Sequence, residues 1–445
     1  MQTTPQYNYS KIFKVAYPIF LTLLVQNLIQ VTSTAFLGHV GEIELGASAI
    51  AGIFYIVLFM LAFGFSTGSQ ILIGRRNGEG NYNKIGEIVV HGSIFLFILA
   101  IILVSFTKIF SENILGGLIS SENVMEAAIK YLDWRIYGLF FSVVNVMFRA
   151  FYVGTTKTKV LSLNALLMAL VNVVLDYMLI FGNWGCPEMG ITGAAIAAVA
   201  AEAASVLFFI IYTATTVDLK KYGFTLIRLK NLQVVKRILD VSFSLMIQYF
   251  LSLATWLLFF LAIEHMGEMP LAVSNVIRSV YMIISIPIFA FGATTNTLVS
   301  NTIGAGRKDE VMSLLWRISR MSLLVTIILV IPAALFPGLV LSVYSSNADL
   351  INAAVPSLYV ILGALPMIAV SSIFFNAVSG SGNTRAALVV EVVTLGIYIV
   401  YMGIVTTYLK ASLAICWTTE PLYWGCLFLW SFMYMKRGTW QNRKI

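Results

Sequence analysis

Asn172 and Asp176 lie one helical turn apart in the apolar run NVVLDYMLIFG, residues 172–182, and Glu202 ends a later run, GITGAAIAAVAAE. At spacing i, i+4 the amide and the carboxylate share one helix face. A carboxylate in an apolar span costs roughly 2.5–3.5 kcal/mol on insertion scales, so by default it marks an ion or substrate pathway. Ser33, within Val31–Thr34, falls at a similar depth in the first apolar stretch. Carboxylate, amide and hydroxyl oxygens together suit a small hard cation, with Na⁺ a candidate ligand of Asp176 and Asn172. The same carboxylate can instead take a proton. The competing reading is a structural hydrogen bond between helices.

Other charges fall at depth. Glu202 sits near the middle of its span, and Glu420 is followed by Pro421 at an expected kink. Glu420 is a candidate proton or substrate acid of the second half. Arg278 is read as the only deep base and is expected to pair with Glu264. Glu391 is expected to pair with Arg385 or to reach the interface. Asp133 and Arg135 are read as interfacial. The histidines His39, His91 and His265 are scattered, and the three cysteines show neither metal spacing nor a disulfide framework.

Apolar helices must position these residues. Of 445 residues 59% are hydrophobic and 11% charged, too little charge for a soluble surface at this length. Runs of about 20 apolar residues recur throughout, the signature of membrane-spanning helices. The pattern predicts an all-α membrane protein with twelve spans, near 14–38, 46–73, 87–108, 127–153, 160–182, 191–214, 239–263, 271–299, 314–340, 351–378, 388–408 and 411–434. The polar N-terminal residues hold no cleavable signal, so the first span is expected to be retained. Pro18, Pro287, Pro332, Pro366 and Pro421 fall inside spans as expected kinks.

Of the 28 Lys and Arg, all but Lys108, Lys130, Arg135, Arg278 and Lys410 fall in segments on one side of this topology. That is the positive-inside pattern, and it expects both termini in the cytoplasm. The net charge of +8 then reflects an inner surface facing anionic lipid, with no nucleic-acid partner implied.

The chain also repeats itself. His39-Val-Gly-Glu42 returns as His265-Met-Gly-Glu268. The offset from His39 to His265 also pairs Gly80 with Gly306, Phe148 with Phe374 and Gly154 with Gly380. An even number of spans per half makes the repeat parallel. The expected layout is an N-terminal six-helix lobe at 1–217, a basic cytoplasmic connector at 218–237, a C-terminal six-helix lobe at 238–434 and a cytoplasmic tail at 435–445. Aligning GAAIAAVAAE with ASLAICWTTE places Glu202 opposite Glu420.

Over its whole length the chain resembles the multidrug and toxic compound extrusion (MATE) family of secondary transporters. The most specific segment is Asn172–Gly182, followed by Pro187, Met189-Gly190 and Gly193-Ala194-Ala195. The resemblance implies V-shaped lobes around a central cavity, and export of organic cations or other amphipathic compounds driven by inward Na⁺ or H⁺. It implies no cofactor beyond that ion, no enzymatic activity, a monomer in the lipid bilayer and a cell-membrane location. Many members carry an Asp in the first helix where this chain has Ser33. NorM-type members carry a Glu in the seventh helix, where Gln248 stands here, and an Asp in the tenth, which has no acid here. Coupling is therefore expected in the N-terminal lobe, at Asp176, Asn172 and Ser33, with Glu202 supplying the carboxylate that Ser33 lacks. Glu420, Gln248 and Arg278 are the candidates for a proton or substrate site in the C-terminal lobe. The rival reading is a lipid-linked precursor flippase of the same superfamily, whose members have more spans and a more basic cavity.

Overall fold

The computed structural model describes residues 6–117, 119, 121–224 and 232–442. Arg228 and Lys230 of the expected connector, and Arg443 and Lys444 of the tail, lie outside the described residues. Regular structure among the described residues is helical. The first half contains α1 (Tyr9–Val40), α2 (Glu42–Gly78), α3 (Ile85–Gly116), α4 (Glu122–Arg135), α5 (Gly138–Gly154), α6 (Lys159–Phe181) and α7 (Gly190–Thr216). The second contains α8 (Leu232–Glu264), α9 (Glu268–Gly304), α10 (Val311–Leu335), α11 (Pro337–Ser342), α12 (Ala348–Gly380), α13 (Thr384–Gly403), α14 (Leu413–Cys416) and α15 (Thr419–Arg437).

Among the described residues ten helices are long and apolar enough to cross a membrane, and α4 with α5, bent by 51° at their junction, meets the same criterion when the two are taken together. The last expected span, 411–434, corresponds to α14 and α15. Glu420, Lys436, Arg437 and several aromatic side chains make α15 less apolar than the others.

The fourth expected span, 127–153, is not one straight helix. The Tyr137 N–H donates to Trp134 O at 3.2 Å and the Leu139 N–H to Ile136 O at 3.1 Å. These i→i+3 bonds tighten the turn locally, which bends a helix without any proline. Arg135 ends α4 at this bend, and Gly138 begins α5.

Contacts divide the chain into two compact units. One runs from Leu21 to Met246; the other holds the residues up to Phe20 and those from Ile247 onward. The division falls inside α1 and α8, not in the connector, so each of these helices gives its two ends to different units. In the first unit, Ser242 Oγ on α8 donates to Phe65 O on α2 at 2.9 Å. Gly68 makes that approach possible, because a Cβ there would lie 2.7 Å from Ser242 Cα. In the second unit, Arg317 Nη1 on α10 donates to Tyr7 O just before α1 at 2.7 Å.

The internal repeat holds in backbone detail. Gly80 and Gly306 end their turns at φ 73° and 76°, a left-handed conformation that glycine adopts at no steric cost. A Cβ on Gly154 would meet Gln70 O at 3.1 Å, and one on Gly380 would meet Asn296 O at 2.7 Å. Gln70 and Asn296 are themselves partners at the repeat offset. The Nδ1 atoms of His39 and His265 lie 2.8 and 2.7 Å from Ala35 O and Leu261 O, one turn earlier in their own helices. A local hydrogen-bonding role accounts for both.

Gly380→Ala forces α12 away from α9 and is expected to cost about 1–3 kcal/mol, as overpacking does. Gly363→Ala, on the same helix with open space around it, is the matched control. Thermal unfolding of the two purified variants in detergent checks this; equal midpoints would show that the α9–α12 contact is not tight.

Candidate functional site

Asp176 is fully buried and Asn172 is 2% exposed, both on α6. The i, i+4 spacing points them together at α1. There Ser33 Oγ lies 2.5 Å from Asp176 Oδ2 and 3.1 Å from Asn172 Oδ1. One hydroxyl hydrogen thus faces two acceptors. Asp176 Oδ1 has no hydrogen-bond partner. The cluster therefore lacks positive charge: a lone carboxylate in an apolar interior is neutralised by binding a proton or a cation. Its oxygens are the hard type that hold Na⁺. Among the described residues no group of three or more His, Cys, Asp or Glu side chains could hold a metal ion, so an ion here would rest on one carboxylate and neutral oxygens.

Glu202 does not join this cluster, contrary to the sequence expectation. Arg135 Nη2 donates to Glu202 Oε1 at 2.7 Å, with both side chains largely buried. The bend after α4 explains the difference. It turns Arg135 inward, where a straight span would leave it at the edge. The Arg135 guanidinium stacks over the Tyr55 ring at 3.7 Å, and Tyr55 OH lies 3.4 Å from Glu202 Oε1. Gly138 gives this pair its room: a Cβ there would come 2.4 Å from Glu202 Oε2. Arg135 is thus a deep base beside a buried acid, and Arg278 is not the only deep base.

In the second unit Glu420 is 4% exposed and accepts from Trp256 Nε1 and Tyr281 OH, each at 3.3 Å. Tyr281 occupies the repeat position of Tyr55, the tyrosine at Glu202. That coincidence supports the pairing of Glu202 with Glu420. The position that matches Arg135 is Ile361, so the second acid has no counterpart of the arginine. The positions that match Ser33, Asn172 and Asp176 are Phe259, Tyr398 and Met402, all in the apolar core.

Glu391 was expected near the interface or beside Arg385, but it is fully buried. Ser252 Oγ and Tyr423 OH donate to its Oε1 at 2.6 and 2.7 Å. Gln248 is buried, and its Oε1 has no partner. Arg278 forms no ion pair with Glu264 among the described residues; its guanidinium sits over the Phe260 ring at 5.3 Å. Sequence reasoning missed Arg135, Tyr55 and the burial of Glu391. The repeat offset from Tyr55 to Tyr281 was the one available signal.

The family model MatE matches residues 18–178 and again 241–404, together most of the chain. The chain belongs to the MATE family. MATE proteins are transporters, and the two matched segments end at positions related by the same offset as the internal repeat. A probable multidrug resistance protein NorM of Thermotoga maritima is 24% identical, covering 86% of this chain and 82% of that protein. A probable multidrug resistance protein YoeA of Bacillus subtilis is 23% identical, covering 96% and 93%. The fold matches an outward-facing multidrug resistance MATE transporter of the MOP superfamily with TM-score 0.88 at 18% identity, covering 98% and 97%. A MOP superfamily transporter from Pyrococcus furiosus superposes with TM-score 0.87, also at 18% identity and with the same coverage. The all-helical membrane fold expected from the sequence is therefore the MATE fold.

Breaking a buried ion pair leaves one charge unpaired. Arg135→Met and Glu202→Leu are each expected to cost about 3–5 kcal/mol, whereas the double variant recovers most of the loss. Unfolding midpoints across the four proteins test this. Additive losses in the double variant would show that the two residues do not act as one pair.

Proposed function

We propose that this MATE transporter is a secondary antiporter. It exports organic cations or other amphipathic compounds and is driven by inward H⁺ or Na⁺ at Asp176, Asn172 and Ser33. The observation that carries the coupling site is the buried Asp176 carboxylate, which has an unpartnered oxygen and only neutral neighbours in its cluster. The multidrug resistance names of the NorM and YoeA relatives support the substrate class. Glu202 is excluded from direct coupling in this reading, because Arg135 already neutralises it. Of the C-terminal candidates, Glu420 keeps a proton role, while Gln248 and Arg278 are left structural.

The chain works as a monomer in the cell membrane with both termini inside, as the distribution of Lys and Arg supports. Ion binding to the outward-open form favours substrate release. Return of the ion to the cytoplasm readies the inward-open form for new substrate. One charge moving down 100 mV supplies about 2.3 kcal/mol, enough for a substrate gradient of roughly 40- to 50-fold. The flippase reading is not favoured, since the relatives carry multidrug resistance names and a superposed structure is a multidrug resistance MATE family transporter.

Dye accumulation in energised inverted vesicles tests the proposal, with Na⁺ and the pH gradient varied separately. Asp176→Asn is expected to abolish ion-driven accumulation. Undiminished, ion-dependent transport by that variant would remove Asp176 from the mechanism. Ser33→Ala removes one oxygen ligand, about 1.5–3 kcal/mol, and is expected to weaken the apparent Na⁺ affinity roughly 10- to 100-fold while leaving proton affinity undiminished.

A further inference from the structure

We infer that the second unit contains a proton-specific site built from Glu391 and Glu420, separate from the cluster at Asp176. Both carboxylates are buried, and among the described residues neither pairs with a base. Glu391 Oε2 has no hydrogen-bond partner. The two acids are linked. Tyr423 donates to Glu391, and its ring stands edge-on to that of Trp424 with centroids 5.4 Å apart. Tyr281 donates to Glu420 and accepts from Trp424 Nε1 at 3.2 Å.

The groups facing the pair decide what it can bind. From α8 come Ser252 and Trp256, and from α9 Tyr281, with Arg278 one turn earlier and engaged with Phe260. From α13 comes Tyr398, from α14 Cys416, and from α15 Tyr423 and Trp424. α12 carries no charge beyond Asp349 in its first turn. No fixed cation neutralises the acids, so a bound one must. Indole N–H groups of Trp256 and Trp424 point into the cluster and offer a metal ion no lone pair. Phe259, Tyr398 and Trp417 fill the surroundings as buried core, so an organic cation would have to displace them. A proton meets both limits. It forms one O–H bond on a carboxylate oxygen, with Glu391 Oε2 free to carry it, and no other bond changes.

The halves differ at this site. The position that matches Arg135 is Ile361, and the position that matches Glu391 is Ala165, so the two sixth-helix acids have different charged neighbours. The first half neutralises its sixth-helix acid internally, and the second leaves it open.

Infrared difference spectra of purified Asp176→Asn protein in lipid nanodiscs, recorded against pH with and without Na⁺, test the site without relying on transport. A carbonyl-stretch band of protonated carboxyl is expected to appear with acidification. It should be unaffected by Na⁺, be lost in Glu391→Gln/Glu420→Gln, and shift in Tyr423→Phe, which keeps both acids. A band that survives the double substitution, or its absence from the parent, would overturn the inference. Sensitivity to Na⁺ would overturn the proton specificity. Failure of Asp176→Asn to affect vesicle transport would instead remove Asp176 from coupling and leave this site standing.

Discussion

An unpaired charge in hydrocarbon is the constraint around which this molecule is arranged. Four acids, Asp176, Glu202, Glu391 and Glu420, are buried in helices that otherwise carry almost nothing charged. The protein deals with them in different ways. Glu202 has a guanidinium at 2.7 Å and an aromatic ring behind it. Asp176 has a hydroxyl and a neighbouring amide oxygen. Glu391 and Glu420 have phenols, an indole and a serine. Only the first arrangement is electrically complete without a ligand. In a transporter, incompleteness of this kind is what a moving ion can act on.

The arrangement depends on how closely helices can approach. Gly138 leaves space for the ion pair, and Gly154 and Gly380 bring helices against backbone carbonyls in both halves. Without a hydrophobic drive between helices in lipid, such contacts and interhelical hydrogen bonds carry much of the association. The chain from Asn164 to Ser205 to Asn145, with links of 2.7 and 2.9 Å, joins α6, α7 and α5 in this way. It holds the helix that carries Asp176 against the helix that carries Glu202.

Much of this was legible in the residues because it is local. Asn172 and Asp176 share a face by spacing alone, and the spans follow from the length of apolar runs. The duplication could be read because several glycines and a His-Gly-Glu motif kept their offset. Arg135 was not legible. Its span looked continuous, no proline announced a bend, and an arginine near a span end ordinarily reaches for headgroups. Glu391 was misplaced for a similar reason. Its partners, Ser252 and Tyr423, come from α8 and α15, and nothing within α13 indicates which helices will cover it. Burial of a single acid is a tertiary property, whereas its presence in a span is a sequence property.

The bend between α4 and α5 has a mechanical side. Its counterpart by the repeat is α12, one uninterrupted helix of 33 residues. The duplicated halves therefore differ in shape at equivalent positions. The first has a joint in mid-span, closed by an electrostatic clasp between Arg135 and Glu202, and the second stays helical through Pro356 and Pro366. The clasp ties the joint to α7, a tie that the second half, with Ile361 at the matching position, does not have.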